Sequence, residues 1–184
     1  MKKILIVLGK SASGKDFITN FLEYEKKFKK VVSYTTRPKR KGEVDGVNYH
    51  YTNNKTFEEM LKNGKFIEYT YYIVNDEKWY YGYTEEVFLE NKINIVVCNP
   101  MGYRKIKEIF PQSISVYLYA DTSVRKKRYL ERDAFATEEL WNIRFTQDEN
   151  DFASLKDDNS IIRIDNSKEV DYPSEIIKEL KGLF

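Results

Sequence analysis

Short apolar runs alternate with amphipathic stretches along most of the chain. Runs typical of buried strands lie at Lys3–Leu8, Val31–Tyr34, Ile93–Cys98, Ile114–Tyr119 and Ser160–Ile164. Helical patterns separate most of them, at Asp16–Tyr24, Met101–Phe110, Asp121–Glu131, Glu138–Leu155 and Tyr172–Leu183. Strands that alternate with helices predict an α/β fold, in which a parallel sheet core is covered by helices on both faces.

Residues 35–84 interrupt this alternation. They contain a basic loop, a short strand at Tyr49–Tyr51, a helix at Phe57–Asn63 and two aromatic strands around a turn near Asn75 and Asp76. Strands joined by a tight turn pair antiparallel, so we expect this segment to form an inserted mixed α/β lobe. The 184 residues fit one domain, whose core consists of residues 1–34, 85–124 and 145–184.

Composition narrows the classes of partner. The net charge of +2 gives no reason to expect nucleic acid or an acidic membrane surface. The 15 tyrosines and 11 phenylalanines concentrate partly in the inserted lobe, where alternating aromatics are more typical of cross-strand pairs than of a nucleic-acid platform. Met1-Lys2-Lys3 precedes only a six-residue apolar stretch, so we expect a cytoplasmic protein with no membrane span.

A glycine-rich motif follows the first strand and opens a helical pattern. Residues 9–16 read GKSASGKD, which matches the phosphate-binding pattern G-x-x-x-x-G-K-[ST] except at the last position. In such a loop, backbone N–H groups surround a phosphate and the lysine reaches the terminal phosphates of a nucleotide. The sequence therefore predicts a nucleotide site at Gly9, Ser11, Ala12, Ser13, Gly14 and Lys15.

Asp16 stands where the motif has a hydroxyl that contacts Mg²⁺. Two interpretations are open. A carboxylate is a hard oxygen donor and can bind Mg²⁺ directly. Without a metal it would repel the phosphates, since two unit charges 4 Å apart cost about 4 kcal/mol at an effective dielectric of 20. We favour the first interpretation, which makes Asp16 the predicted metal ligand.

A second motif lies in the basic loop of the inserted lobe. Pro38 keeps the chain extended, so that Arg37 and Arg40 can converge on one anion. One guanidinium group can donate two parallel hydrogen bonds to the oxygens of a phosphate, and the phenol of Tyr49 could add a further donor. The alternative is a solvated basic loop with no ligand.

The chain resembles the guanylate kinases, a family of P-loop nucleoside monophosphate kinases. That family carries S-x-T-T-R-x-x-R-x-G-E-x-x-G-x-x-Y soon after its phosphate loop, and residues 33–49 here read SYTTRPKRKGEVDGVNY, a match at every specified letter. The family's F-[IL]-E and Y-Y-G motifs occur at residues 66–68 and 80–82. The resemblance spans nearly the whole chain and implies a P-loop core, a lobe for the monophosphate at residues 35–84 and a helical lid at residues 125–144.

The resemblance also implies an acceptor site for GMP. It assigns the acceptor phosphate to Arg37, Arg40, Tyr49 and Tyr81, and it places Ser33 on the guanine side of the same pocket. Glu68 would be the main base reader, because guanine offers two adjacent donors, N1–H and the exocyclic amine, to one carboxylate. A buried acceptor left unpaired by the wrong base makes such a site selective. The alternative for Glu68 is a strand carboxylate that faces water.

On the donor side the resemblance implies ATP with Mg²⁺. It places Arg128 and Arg132 of the lid on the donor triphosphate, and Arg144 joins them from the next helix. Positions 128 and 132 share a helical face, and arginines there would neutralise charge on the transferring phosphoryl group. Asn166, after the last strand, would line the adenine pocket.

Three departures from the family pattern cluster around the chemistry. Asp16 replaces the hydroxyl of the phosphate loop. Where the family has an aspartate pair, D-x-D, this chain has Val97 and Asn99, so Asn99 can hydrogen-bond to the acceptor without supplying charge. Tyr83 replaces a Ser or Thr that helps to read guanine, and it would stack on the base or narrow the pocket. Our hypothesis is that Asp16 partly compensates for the lost aspartates.

The sequence therefore predicts a kinase that transfers the γ-phosphoryl group of ATP to GMP or dGMP, giving ADP and GDP from GMP. Two alternatives remain at this stage. One is a kinase for a different nucleotide, which Tyr83 and Asn99 would accommodate. The other is a catalytically idle binding module of the same family, which Asp16 and Val97 keep open. We expect small-molecule nucleotides as partners, no nucleic acid, and a monomer or homodimer.

Overall fold

The computed structural model describes residues 2–74, 76–131 and 136–184. Their strands are β1 Lys3–Leu8, β2 Phe28–Lys30, β3 Tyr34–Thr35, β4 His50–Tyr51, β5 Phe66–Val74, β6 Glu77–Thr84, β7 Ile93–Val97, β8 Ile114–Tyr119 and β9 Ile161–Asp165. The helices are α1 Lys15–Glu23, α2 Asn54–Lys62, α3 Pro100–Ile109, α4 Thr122–Glu131, α5 Glu138–Phe152 and α6 Ser174–Gly182. Short 3₁₀ turns occupy Glu85–Val87 and Ala153–Leu155.

Five strands form a fully parallel sheet in the order β2-β7-β1-β8-β9. The central strand β1 sends alternate side chains to two separate apolar clusters. Ile4 and Ile6 pack on one face with residues of α3 and α5, whereas Leu5 and Val7 pack on the other with residues of α1 and α6. Because both faces are covered, β1 is almost continuously apolar, as a buried parallel strand must be. The predicted α/β fold with helices on both faces is confirmed.

One predicted strand is wrong. Residues 31–33 of the apolar run Val31–Tyr34 lie outside the strands, and the edge strand of the core is β2, the sequence FKK at residues 28–30. An edge strand needs only one apolar side chain against the core, and Phe28 provides it at 4% exposure. Tyr34 belongs to β3, where it pairs with Gly82 and His50. The other predicted core elements differ by a few residues at their ends.

The inserted segment forms a second, four-stranded sheet in the order β4-β3-β6-β5. Strands β5 and β6 make a long antiparallel hairpin that runs in register from Phe66 opposite Thr84 to Val74 opposite Glu77, with an irregularity between Phe66 and Glu68. Helix α2 covers this sheet through Phe57, whose ring stacks on Phe66 at 4.2 Å and on Tyr80 at 5.0 Å. The hairpin provides a rigid platform beside the carboxyl ends of the core strands.

Two sequence predictions concern residues beyond this description. The predicted turn residue Asn75 and residues 132–135 of the predicted lid lie outside the described residues. Among the described helices, none combines the length and the apolar character that crossing a membrane requires.

Candidate functional site

The loop between β1 and α1 requires its two glycines for geometric reasons. A Cβ on Gly9 would lie 2.4 Å from the carbonyl oxygen of Leu118, and a Cβ on Gly14 would lie 2.2 Å from Nδ2 of Asn166. Gly14 also has a left-handed backbone, with φ of 89°, and it caps α1 without a side-chain hydrogen bond. The N-terminus of α1 therefore presents backbone N–H groups that no capping side chain occupies, which suits an anion.

Lys15 begins α1 and folds back along the loop. Its Nζ donates to the carbonyl oxygens of Gly9, at 2.7 Å, and Lys10, at 3.2 Å. The ammonium group therefore sits over the loop, within a cavity that the loop shares with the inserted sheet. Within the loop, the backbone of Ala12 has the left-handed conformation, with φ of 59°, and Ser13 is fully buried.

One cavity joins the phosphate loop to the inserted sheet. Its wall includes ten of the side chains or backbone groups predicted from the sequence: Gly9, Ser11, Lys15, Ser33, Tyr49, Glu68, Tyr81, Tyr83, Asn99 and Arg144. Thus residues that lie up to 135 positions apart in the chain, from Gly9 to Arg144, face the same space.

The phenols of Tyr49 and Tyr81 line one end of this cavity, and Arg37 packs against the first of them. The Arg37 side chain is 5% exposed, and its guanidinium lies over the ring of Tyr49 at 5.3 Å. The Tyr49 ring contacts the Tyr81 ring edge-on at 5.9 Å. Arg40 is exposed on the loop, and its electrostatic influence reaches the Tyr81 phenol. A cation and phenolic donors in this arrangement suit a phosphate.

Glu43 fixes the conformation of this arginine loop, a role that the motif alone did not reveal. Its carboxylate accepts hydrogen bonds from Arg37 Nη2, the backbone N–H of Arg40 and the phenol of Tyr51, each at 2.7 Å. Burial of the carboxyl opposes ionisation, yet these hydrogen bonds outweigh it and lower the pKa of Glu43 to about 2. Arg37 is therefore held in place before any ligand binds.

Glu68 lies on β5 at the floor of the cavity and does not face water. The residue is 3% exposed, and its buried Oε1 has no hydrogen-bond partner among the described residues. Burial raises the pKa of this carboxyl to about 7, although Lys105 opposes the shift. A buried carboxylate without a partner is costly, so a ligand with hydrogen-bond donors is the natural complement to Glu68.

Tyr83 lies in the cavity wall with its phenol bound by the backbone. Its phenol donates to the carbonyl oxygen of Val97 at 2.7 Å, and its ring packs in the apolar core against Phe88. Ser33 is a neighbour of this phenol. Because the Tyr83 hydroxyl is engaged by the backbone, Tyr83 shapes the cavity wall rather than offering a free hydroxyl to a ligand.

Asn99 has a structural partner on each side. Its Oδ1 accepts from the backbone N–H of Gly102 and so caps α3, while its Nδ2 donates to the phenol of Tyr72, each at 2.8 Å. Tyr72 follows Glu68 and Thr70 on the same face of β5, and all three line the cavity. The sequence reasoning missed Tyr72 and Thr70, although the spacing of two residues from Glu68 was a signal that could have identified them.

A second cavity adjoins the phosphate loop at Gly14. It is lined by Gly14, Phe17, Arg128, Asn166 and the loop 168–171. Arg128 donates to the carbonyl oxygens of Asn166, at 2.9 Å, and Lys168, at 3.4 Å, and Asn166 donates to the carbonyl oxygen of Ser13 at 2.8 Å. Arg132, the other predicted lid arginine, lies outside the described residues.

Asp16 follows Lys15 in the first turn of α1. Its side chain is 84% exposed, and it forms an ion pair with Lys30 at 3.1 Å. No group of three or more His, Cys, Asp or Glu side chains within residues 2–74, 76–131 and 136–184 could hold a metal by itself. Mg²⁺ typically binds through one or two carboxylates together with substrate phosphates, so an accessible single carboxylate beside a phosphate loop fits that ion.

Two charged residues that sequence reasoning missed support the loop from behind. Arg125 of α4 and Asp148 of α5 form a buried ion pair at 3.4 Å, and both contact Ser11. Neither residue belongs to a recognisable local motif. Ser11 lies more than a hundred positions from each of these two residues in the chain, so their contacts with the loop become visible only in the fold.

Comparison with known proteins identifies the family. The family model described as guanylate kinase matches residues 1–181. The chain belongs to the guanylate kinase family. The resemblance inferred from the sequence is thereby confirmed, and the matched residues include both of the described sheets.

Curated guanylate kinases are moderately similar to the chain. That of Oceanobacillus iheyensis is 36% identical over 124 residues, which cover 64% of this chain and 58% of that protein. That of Bacillus anthracis is 31% identical over 150 residues, which cover 78% of this chain and 71% of that protein. That of Halalkalibacterium halodurans is 30% identical over 161 residues, which cover 84% of this chain and 77% of that protein. The match thus spans less than two thirds of the length of the first of these guanylate kinases.

Solved structures show the same architecture. A guanylate kinase from Anaplasma phagocytophilum superposes with a TM-score of 0.67 at 18% identity, over 99% of this chain and 84% of that one. A gluconokinase from Sinorhizobium meliloti 1021 superposes with a TM-score of 0.54 at 15% identity, over 99% of this chain and 91% of that one. At these identities the likeness shows the fold alone.

The low pKa of Glu43 leads to a prediction about stability. Glu43 has a folded-state pKa below its unfolded value, so it contributes stability above about pH 4.5 that is lost as the pH falls toward 2. We expect Glu43→Gln to destabilise this guanylate kinase homologue at pH 7, and the difference from the unaltered protein to narrow as the pH falls from 5 to 3.5. Urea unfolding of both proteins at several pH values measures this difference; a difference that stays constant with pH would contradict the role of the charge.

Proposed function

We propose that the protein is a nucleoside monophosphate kinase that transfers the γ-phosphoryl group of ATP to GMP or dGMP, giving ADP and GDP from GMP. The observation that carries this proposal is the shared cavity, in which Lys15 of the phosphate loop and the buried carboxyl of Glu68 face the same space. Membership of the guanylate kinase family supports the same activity.

The acceptor phosphate would bind at the end of the cavity lined by Tyr49 and Tyr81, where Arg37 is adjacent and Arg40 of the same loop would also contact it. Arg37 is already fixed by Glu43, so its side chain loses little conformational freedom when the phosphate binds. The base would then extend toward Glu68 on β5, while Ser33, Tyr83 and Asn99 complete the wall of its pocket.

Base choice would depend mainly on Glu68. Guanine presents N1–H and an exocyclic amine to the carboxylate, whereas adenine presents an acceptor at N1 and would leave the buried carboxylate unsatisfied. Hydrogen-bond readout of this kind discriminates more strongly than shape does. Tyr83 limits the depth of the pocket, because its hydroxyl is bound to Val97.

The donor nucleotide would place its phosphates on the loop from Gly9 to Lys15. Its base would enter the cavity beside Asn166 and Arg128, which adjoins Gly14. We propose that residues 35–84 act as the monophosphate-binding lobe and residues 125–144 as the lid, and that Arg128, Arg132 and Arg144 neutralise the transferring phosphoryl group together with Lys15. The acceptor phosphate oxygen is the nucleophile, so no general base is required.

Mg²⁺ would bind with ATP, and Asp16 is the residue that would hold it. The ion supplies neutralisation of charge on the donor phosphates. Asp16 offers an accessible carboxylate, and Lys30 restrains it. The strand end at Val97 and Asn99 supplies no carboxylate, so Asp16 would compensate for that absence.

These substrates imply a setting for the protein. Small-molecule nucleotides would be its partners, in the cytoplasm, where ATP and nucleoside monophosphates are present. We propose no role for nucleic acid or membranes. The monomer or homodimer expected from the sequence stays a prediction.

A coupled assay for ADP release tests the proposed activity. We expect turnover with ATP, Mg²⁺ and GMP or dGMP, and little with AMP, IMP, CMP or UMP. Lys15→Ala should reduce turnover by at least about 100-fold, because it removes a donor aimed at charge that develops in the transition state. Lys29→Ala, which removes an exposed lysine that pairs with Glu23 outside the cavity, is the matched control.

Other outcomes assign the alternatives. Turnover with a different base alone would keep the kinase and reject the role of Glu68, whereas no turnover and no binding of Mg-ATP would favour an idle binding module. The same assay over a range of Mg²⁺ concentrations tests Asp16. We expect Asp16→Ser to change the Mg²⁺ dependence, and an unchanged dependence and turnover would reject compensation by Asp16.

The pKa of Glu68 predicts that GMP binding depends on pH. A protonated carboxyl cannot accept both guanine donors, so affinity should rise as the pH rises through 7, and it should be roughly tenfold weaker one unit below the pKa than well above it. The phosphate of GMP titrates near pH 6 as well. Glu68→Gln is therefore the control, since GMP binding to this variant still depends on titration of the GMP phosphate but no longer on that of Glu68. Calorimetry with both proteins at pH 6 and 8 measures the effect, and parallel pH profiles would exclude titration of Glu68.

A further inference from the structure

Every polar group of Ser11, in the phosphate loop, is bound by helices α4 and α5. Its backbone N–H donates to Oδ2 of Asp148 at 2.6 Å, and its carbonyl oxygen accepts from Nε of Arg125 at 3.0 Å. Its hydroxyl accepts from Nε of Arg144 at 2.6 Å and donates to Oδ1 of Asp148 at 3.3 Å. The conformation of the loop at this position is therefore set by side chains from outside the loop.

Asp148 is the centre of this arrangement. The residue is 1% exposed and lies between two guanidinium groups, with Arg125 Nη2 and Arg144 Nε each 3.4 Å from its carboxylate. Its two oxygens therefore contact both the loop and the arginines. A buried carboxylate persists only when such partners compensate for its lost hydration.

Arg125 is fixed as firmly as its partner. It is 4% exposed, and its guanidinium lies against the rings of Trp141, at 5.5 Å, and Phe145, at 5.8 Å. The arginine thus spans from α4 to two aromatic side chains of α5 and to the loop. It leaves little freedom for these three elements to move independently.

The neighbouring loop residue is held in the same way. Lys10 forms an ion pair with Glu149, and Arg125 Nη1 lies 3.9 Å from the same carboxylate. Consecutive loop residues, Lys10 and Ser11, are therefore bound by consecutive residues of α5. This pairing supports a specific alignment of the helix against the loop.

We propose that Asp148 is a positioning residue for the donor phosphates, which holds the loop at Ser11 in its binding conformation and turns Arg144 toward it. The inference rests on the proposed function, since it assumes that this loop receives the phosphates of ATP. Asp148 itself contacts no nucleotide in this account. It acts through Ser11 and Arg144.

The arrangement also connects the loop to the segment proposed as the lid. Arg125 and Arg144 lie at the two ends of residues 125–144, and both contact Ser11. A change in the position of α4 or α5 would therefore alter the loop, and donor binding would in turn alter those helices. Such reciprocity is a thermodynamic requirement of coupled binding.

Calorimetry with Mg²⁺ and a non-hydrolysable ATP analogue tests the proposal. We expect Asp148→Ala to weaken binding of the analogue at least tenfold and to change GMP affinity less than twofold. Glu179→Gln, which neutralises an exposed acid of α6 outside the proposed lid and both cavities, should change neither affinity. Equal binding of the analogue by Asp148→Ala and the unaltered protein would overturn the proposal.

A double variant separates positioning from stability. Asp148→Ala leaves the Arg125 charge without its buried partner, so its melting temperature should fall. Replacing both partners with apolar side chains, Arg125→Met with Asp148→Leu, often restores stability at such sites. We expect the double variant to regain the melting temperature while its affinity for the analogue stays at least tenfold weaker. Recovery of both together would show that Asp148 serves stability only.

The measurement also distinguishes this proposal from the proposed function. Binding of the analogue by the unaltered protein without phosphorylation of GMP would reject the kinase activity and leave the test of Asp148 valid. Absence of analogue binding by the unaltered protein would reject the donor site, and with it this inference.

Discussion

Parallel pairing of β1 between β7 and β8 is the constraint on which the site depends. Lys3 to Val7 lie opposite Ile93 to Val97, and Leu5 to Leu8 lie opposite Ile114 to Tyr117. Because the strands are parallel, their carboxyl ends meet at one edge of the sheet. The phosphate loop, the cap of α3 and the start of α4 therefore emerge side by side. Alternate side chains of β1 pack in two separate apolar clusters, so a register slip of one residue would exchange the side chains between these clusters.

Buried charges in the structure fall into two kinds. Arg37 with Glu43 and Arg125 with Asp148 are paired, and each pair positions a loop before a ligand arrives. Glu68 differs, because its buried Oε1 has no hydrogen-bond partner among the described residues. The paired charges are satisfied by their protein partners, whereas Glu68 remains available to water or a ligand. This contrast is the physical basis for proposing that Glu68 recognises the base.

The sequence was most informative where function depends on local spacing. The glycines and lysine of the phosphate loop, and the run from Ser33 to Tyr49, are contiguous, so their chemistry could be predicted without a structure. The edge strand could not, because Phe28 needs only one apolar contact and Val31–Tyr34 looked more like a strand.

Residues that act through tertiary contacts were the hardest to predict. Asp148 lies 137 positions from Ser11, and nothing in the local pattern of α5 marks it. Glu43 belonged to a recognised motif, yet its three hydrogen bonds appear only once the loop is folded. Tyr83 was expected either to stack on a base or to narrow the pocket, and the bond of its phenol to Val97 became visible only in the fold.

The central claim is that two nucleotide sites face each other across the phosphate loop. Calorimetry with adenosine and guanosine joined through five phosphates tests it most directly, because such a compound reaches both sites only if they are aligned for phosphoryl transfer. The account predicts binding at least about 100-fold tighter than that of GMP, with displacement by either ATP or GMP. Affinity no greater than that of GMP alone, or displacement by only one of the two nucleotides, would contradict it.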